Sequence, residues 1–496
     1  METAMKNVLR HMIATALVTT FAHTAVADKI VLLDNNAESL QARADYIQGA
    51  QELVRAQYFT IENDSLSRSA LALLRDAASR DVKVKILVDS MHNLILRETM
   101  AAVMLNLHPD KKKNIEIKEY NTFNLFRPFR YSKRMHDKGL IIDGKYMISG
   151  GRNIANGYYG VPDTTKRGEA LPVYEDSDAL VLDSKSIEVA AKYFDDLWNS
   201  KFVTNVALYD FSVDNLSPWA CAGRDDQQNC EYSREQRVKK VAKEEKTLDS
   251  LIAKYKSNKM EIQYQVTDWN AKAIEVQSID FLFDDVTKQN SRLDKPENSI
   301  GTQLYNAITK AKESVIIITP YLVITPEQEA LFKILKEKEV EVTIITNSKG
   351  SNDVPAANVG YDKTKQLAIN AGVTILEYQG PDTLHAKMVL LDRSTIFIGS
   401  FNWDFRSQNL NREVGILAEL PANQKNDLTN DLVRKFAAIM KKTCKIGAKI
   451  CNVSRGETLE KLDPEQYEAL VTAFKMREQN SGTLYRILFP LIKGQL

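Results

Sequence analysis

From position 38 the chain alternates between two hydrophobic rhythms. Apolar residues at Leu40, Ala44, Ile47, Ala50 and Leu53 lie three or four apart, which predicts a helix. "AQYFTI" (56–61) is a short apolar run and predicts a strand. "SALALLRDAASR" (69–80) returns to helical spacing, and "VKVKILVD" (82–89) alternates before closing on an apolar run, as a strand does. The same order recurs from position 299. "SVIIITPY" (314–321) predicts a strand. "TPEQEALFKILKEKE" (325–339) predicts a helix with Pro326 and Glu327 as start signals, and "VEVTIITN" (340–347) the next strand. A period this long is a duplication at domain scale rather than a solenoid repeat. Strands alternating with helices imply an α/β fold: two pseudo-symmetric halves, each a mixed β-sheet flanked by helices. Sheets packed together would bring equivalent parts of the halves to one seam.

Each half then reaches a strand–turn–strand segment with unusual polar content. "RMHDKGLIIDGKYMISGGRN" (134–153) and "LHAKMVLLDRSTIFIGSFN" (384–402) share one spacing. His136, Lys138, Asp143, Gly150 and Asn153 match His385, Lys387, Asp392, Gly399 and Asn402. On a strand, residues two apart face the same side, so each His lies beside its Lys. At a seam, two imidazoles and two ammonium groups would converge, with Asn153 and Asn402 as further donors. Such a pocket suits a phosphate and stabilises charge on its oxygens during phosphoryl transfer without a metal. One imidazole could attack phosphorus and the other move the proton of the leaving or incoming alkoxide. A neutral imidazole needs an acceptor on its second nitrogen. Candidates follow each hairpin: Glu413 after His385, and Asp176, with Asp178 as second choice, after His136. Asp143 and Asp392 belong to the motif but sit at turns, which suits a structural or electrostatic role. Gly150, Gly151, Gly399 and Ser400 lie where backbone would approach the phosphate.

Composition changes this picture little. Apolar residues make up 44% and charged residues 26% of 496, and net charge is +1, so the strong basic excess of a non-specific nucleic-acid binder is missing. The N-terminus does add something. Lys6 and Arg10 precede the apolar run "MIATALVTTFA" and the small residues "AVA" (25–27), the layout of a cleaved secretory signal. Four cysteines, Cys221 with Cys230 and Cys444 with Cys451, form two close pairs, which fits disulfides in an oxidising compartment; four cysteines allow three connectivities. Expected organisation is therefore a signal peptide (1–27), a first half (28–200), a charged helical connection on the surface (201–260), a second half (261–442) and a helical, apolar tail (443–496). "NTFNLFRPFRYSKR" (121–134) and "LYRILFPLI" in the tail mix aromatic and basic residues, as membrane-interface segments do. His92 and His108 lie outside any motif.

The duplicated His-Lys-Asp motif resembles the signature of the phospholipase D superfamily. "TNSKGSNDVPAANVGY" and "YFTIENDSLSRSAL", with the two hairpins, look most like bacterial cardiolipin synthases of the C type and phospholipase D-like relatives. The likeness spans nearly all of the chain after the signal-like segment. It implies a ping-pong phosphodiester transfer, generally without metal or other cofactor. His136 would be the nucleophile and His385 the acid/base. Lys138, Lys387, Asn153 and Asn402 would bind phosphate, while Asp176 and Glu413 would support the imidazoles. The expected partner is a phospholipid at a membrane surface, not nucleic acid. Water as acceptor would give phosphatidic acid; a second phospholipid would give cardiolipin. Export favours water. A secreted nuclease of the same superfamily is the alternative, and an inactive lipid-binding protein is disfavoured by the two intact His-Lys pairs.

Overall fold

The computed structural model describes residues 28–445, apart from 109, 112–113, 124, 126–130, 161–172, 209–223, 258–267, 290–298, 422–434, 436–437 and 440–441. The signal-like segment, the tail beyond 445, and the cysteine pairs lie outside what is described, either as whole residues or as side chains.

Two sheets carry the fold. The first runs, in spatial order, Ile274–Val276, Asp28–Leu33, Asp178–Leu182, Tyr146–Gly150, Lys138–Ile142, Leu53–Tyr58, Lys83–Asp89, Ile115–Tyr120 and Val203–Asn205. The second runs Ser278–Phe283, Val414–Glu419, Thr395–Gly399, Met388–Leu391, Ser314–Ile318, Glu341–Asn347, Thr374–Tyr378 and Thr443–Lys445. In both, three consecutive parallel strands meet an antiparallel hairpin, so the repeat in the sequence is a repeat in space.

Alternation along the strands decides which layer each side chain enters. Ile86, Leu140 and Leu182 point outward into a core shared with helices Asn36–Gly49 and Ser65–Ser79. Their neighbours Leu87, Ile141 and Val181 point inward. There they meet Ile345, Leu390 and Ile416 of the second sheet in a central core common to both halves. Ile344, Leu391 and Phe397 face the outer layer of the second half, with helix Pro326–Glu337. Strands buried on both faces read as continuous apolar runs, which is why "SVIII" and "KILVD" lack polar alternation.

Helix starts follow the expected chemistry. Thr325 and Gln328 form a reciprocal capping box before the helix opened by Pro326. Asp64 caps Ser65–Ser79, four residues earlier than apolar spacing alone placed it. The second strand begins at Leu53, not at Ala56. The backbone N–H groups of Gln51, Glu52 and Leu53 are all taken by the Asp143 carboxylate, which ends the helical run at Gly49 and starts the extended one.

The charged connection folds as one helix, Arg224–Lys256. It is more than a solvated strut. Val241 and Leu248 are buried in the outer core of the first half, and Arg68–Glu244, Arg75–Asp249 and Lys256–Asp76 pairs hold it across helix Ser65–Ser79. The chain passes from the first sheet to the second between Val276 and Ser278. Among the described residues no helix is long and apolar enough to cross a membrane.

Candidate active site

Both histidines stand just before the first strand of their hairpins, at the seam. Two short backbone contacts stitch the halves there. Tyr174–Glu175 pairs in parallel with Thr383–Leu384, and the His385 N–H donates to the Glu175 carbonyl at 2.8 Å. Met135 bridges to Arg412, and the His136 N–H donates to the Arg412 carbonyl at 2.9 Å. The residue following each stitch is a carboxylate, so each is delivered to the other half's imidazole. His136 Nδ1 lies 2.9 Å from Glu413 Oε2, and His385 Nδ1 lies 2.7 Å from Asp176 Oδ2. Chain order suggested that each carboxylate serves the histidine before it; the structure exchanges them across the seam.

With Nδ1–H directed at a carboxylate, His136 keeps Nε2 without a partner among the described residues, whereas Nε2 of His385 faces the Lys387 ammonium at 3.1 Å. Burial presses His136 well below the usual imidazole value, helped by the charges of Lys138 and Lys387. Burial and Lys387 bring His385 down to about 4, with Asp176 opposing them. The carboxylates differ. Burial would raise Asp176, but His385, Lys387 and Arg152 outweigh it and hold the group below the usual range. Glu413 is raised by burial, against the pull of Lys138 and of hydrogen bonds from Ser400 and Ser407. One imidazole thus faces a firmly ionised carboxylate and the other a softer one.

Lys138 and Lys387 are almost fully buried. Each ammonium donates to the carbonyl of the histidine two residues back, and Lys387 Nζ also lies 3.1 Å from His385 Nε2. Among the described residues the Lys138 ammonium has no other hydrogen-bond partner. Burial and mutual repulsion lower Lys138 to about 7, and burial lowers Lys387 to about 8. An arriving phosphate would reverse part of both shifts.

Residues after the hairpins explain the difference between Gly151 and Ser400. A Cβ on Gly151 would lie 2.0 Å from Asp176 Oδ1, so glycine here is room for the carboxylate. In the other half Ser400 fills that place and donates to Glu413 Oε2 at 2.5 Å, while Ser407 donates to Oε1 at 2.6 Å. Asn153 is held by Thr60 and Tyr158. The Asn402 carboxamide oxygen is buried and has no protein partner among the described residues.

Three candidates sit elsewhere. Asp143 and Asp392 occupy the far turns of their hairpins, roughly 20 Å from the histidines along the strand. Asp392 accepts from the N–H groups of Lys312, Glu313 and Ser314, as Asp143 does from Gln51 to Leu53. Both are therefore removed from the catalytic set: they fix where the neighbouring strand begins. Asp178, the second choice beside Asp176, is buried with Arg43, Arg152 and Ser39 and touches neither imidazole.

Several contributors carry no local signal. Asp89 accepts from Arg134 and the Met135 N–H, and Asn347 clasps both polar backbone groups of Leu384, so each pins the residue before a histidine. Their shared place at the ends of "KILVD" and "TIITN" was the available clue. Phe59 packs edge-on against His136 and stacks near His92, which therefore belongs to the surroundings of the site. Tyr158, Tyr174 and Tyr321 wall in His385, and Tyr174 and Tyr321 both donate to Asp353.

The family model described as "Cardiolipin synthase, PLD-like domain" matches residues 44–198 and 304–440, once in each half. "Cardiolipin synthase C" of Escherichia coli (strain K12) is 26% identical over 78% of this chain and 80% of its own length. "Cardiolipin synthase 1" of Bacillus cereus is 24% identical over 81% of this chain and 65% of its own length. The crystal structure of phosphatidylserine synthase from Haemophilus influenzae Rd KW20 shares the fold, with a TM-score of 0.57 at 16% identity over 95% of this chain and 98% of that one.

Proposed function

From the premise that this chain belongs to the cardiolipin synthase, PLD-like domain family, we propose that it transfers phosphatidyl groups between phospholipids through a phospho-histidine. The observation that carries this reading is the crossed pairing at the seam. Two buried imidazoles are each oriented by a carboxylate of the other half, beside two ammonium groups.

His136 Nε2 attacks the phosphorus of the donor lipid. The N–P bond forms as the P–O bond to the departing alcohol breaks, and His385 Nε2–H supplies the proton. The phosphodiester's negative charge offsets Lys387, the cation that opposes a proton on His385 in the empty site. In the second half-reaction the hydroxyl of an acceptor lipid gives its proton to His385 while its oxygen displaces His136. Lys138, Lys387 and the Asn402 side chain would hold the non-bridging oxygens. Cardiolipin synthases among the similar proteins favour a lipid acceptor over water.

The site opens beside an apolar surface that supports work on a bilayer. Met91, Leu94 and Leu96 follow one parallel strand and Phe123 and Leu125 the next, and all are exposed, Leu125 at 76%. His92, within this first exposed stretch, packs on Phe59, which contacts His136. Export behind residues 1–27 and action from outside the cytoplasm are part of this proposal.

Mass spectrometry of mixed phosphatidylglycerol and phosphatidylethanolamine vesicles after incubation tests it. Cardiolipin formed by the native chain and absent with His136→Ala supports transfer. Phosphatidic acid alone means water is the acceptor. An unchanged lipid profile overturns the reading.

A further inference from the structure

A cavity lies away from the histidines. It measures about 390 Å³ and runs between helices Asn36–Gly49 and Ser65–Ser79, over the outer face of the first sheet. Sites for small molecules span roughly 300–1,000 Å³, so this one falls at the lower end. Its floor is Ala56, Ile86 and Leu140, and its walls are Ala44, Ile47 and Leu74, all buried. Its mouth is half-buried or exposed, formed by Leu40, Ser65, Leu66, Ser69 and Ala70. Small residues make the space: alanines 44, 56 and 70 stand where larger apolar side chains would close it.

The polar groups in the lining narrow the class of occupant. Arg43 is fully engaged, with Ser39, Asp178 and Tyr58. The Asn156 oxygen accepts from Ser65 and Leu66. The Tyr159 hydroxyl is different: it is buried and has no partner among the described residues. That oxygen exposes less than 1 Å² of surface, so it lies behind the lining and offers no donor to an occupant. The cavity therefore suits a long apolar body.

Position narrows it further. Ile61 lines the cavity, and its backbone pairs with His92 and Leu94 in the exposed apolar segment. Tyr159 adjoins Tyr158, whose ring contacts His385. The cavity, the apolar surface and the histidines thus share one end of the first half.

We propose that this cavity holds one fatty acyl chain. The link to a phospholipid's chain rests on the transfer reading above; the chain-binding site itself does not, because its test reads binding and not turnover.

Calorimetric titration of the full chain with palmitic acid, and separately with monomeric 1-palmitoyl-lysophosphatidylglycerol, tests the site. One equivalent should bind with a negative heat-capacity change, as apolar burial requires. Ala70→Phe and Ser69→Trp should weaken binding at least tenfold and leave the melting temperature unchanged or raised, since they fill space at the mouth. Binding of both probes, or of the lysolipid alone, supports a phospholipid chain. Binding of palmitic acid alone supports the chain site and overturns its link to phospholipid. No binding by the folded native chain, or binding unaffected by both mouth variants, overturns the proposal.

Discussion

Gly151→Ala isolates the pairing of His385 with Asp176. The added methyl carbon would sit 2.0 Å from Asp176 Oδ1 and 2.8 Å from its Cγ and Oδ2, so the carboxylate must move. It has little freedom. The Ser177 N–H holds Oδ1 at 2.7 Å, Arg152 holds the Asp176 carbonyl at 2.7 Å, and His385 holds Oδ2. Relief of the overlap therefore breaks the bond to His385. A hydrogen bond to a charged group contributes about 1.5–3 kcal/mol, and overpacking left unrelieved costs about 1–3 kcal/mol. These are alternatives and not a sum, so a stability loss of about 2–3 kcal/mol is expected. If the bond persists in the transition state, turnover falls by roughly thirty- to a hundred-and-sixtyfold. Urea unfolding gives the first quantity and steady-state transfer the second, while NMR of the His385 ring nitrogens reports whether Nδ1 has lost its partner. Wild-type turnover with an unmoved His385 signal would refute the reasoning.

Exchange of carboxylates across the seam predicts that Glu413→Gln shifts the NMR titration of His136 and leaves that of His385 nearly in place; the reverse pattern would restore pairing within each half. Asp143→Ala should cost stability, about 1–3 kcal/mol for three backbone donors left without their acceptor, yet retain turnover in the folded fraction, as chemical denaturation and a transfer assay together will read. Lys138 and Lys387 lose their protons through about 7 and about 8, so vanadate inhibition should weaken as pH rises through that window. For the empty protein these two groups act with the opposite sign: the unfolded chain holds more protons from about pH 7 to about 10.4, so their contribution to stability rises with pH there, measurable by urea unfolding at several pH values. Serine at Met91, Leu94, Phe123 and Leu125 together should reduce co-sedimentation with anionic vesicles at least tenfold while circular dichroism is unchanged.

The duplication, the hairpins and the two His-Lys pairs were legible because each depends on spacing of two along a strand and on a repeated order of elements. Asp176 and Glu413 were legible as carboxylates near strand starts, but not their partners. Pairing across the seam depends on the contacts at Thr383–Leu384 and at Met135, which join residues remote in the chain and leave no local pattern. Asp143 and Asp392 were legible as turn residues, but not the neighbouring strand start that each fixes. Fixed spacing from a histidine shows that a residue matters, and a strand of five residues carries it to the opposite end of the sheet. The helix Arg224–Lys256 is so rich in charge that its two buried apolar contacts were hidden in the composition. Tyr158, Tyr174 and Tyr321 come from three separate segments, and only folding brings their rings around His385.

Covalent fusion of the two halves has a consequence for how the site can be specialised. Two identical subunits assembled about a true two-fold axis would carry the same residue at both centres, and any substitution would strike both. In one chain the copies vary independently. Here one centre has adopted Gly151 with Asp176 and the other Ser400 with Glu413, giving one ionised and one softer carboxylate. Near-symmetry brings both His-Lys pairs to one seam, and the broken part lets the two carboxylates differ.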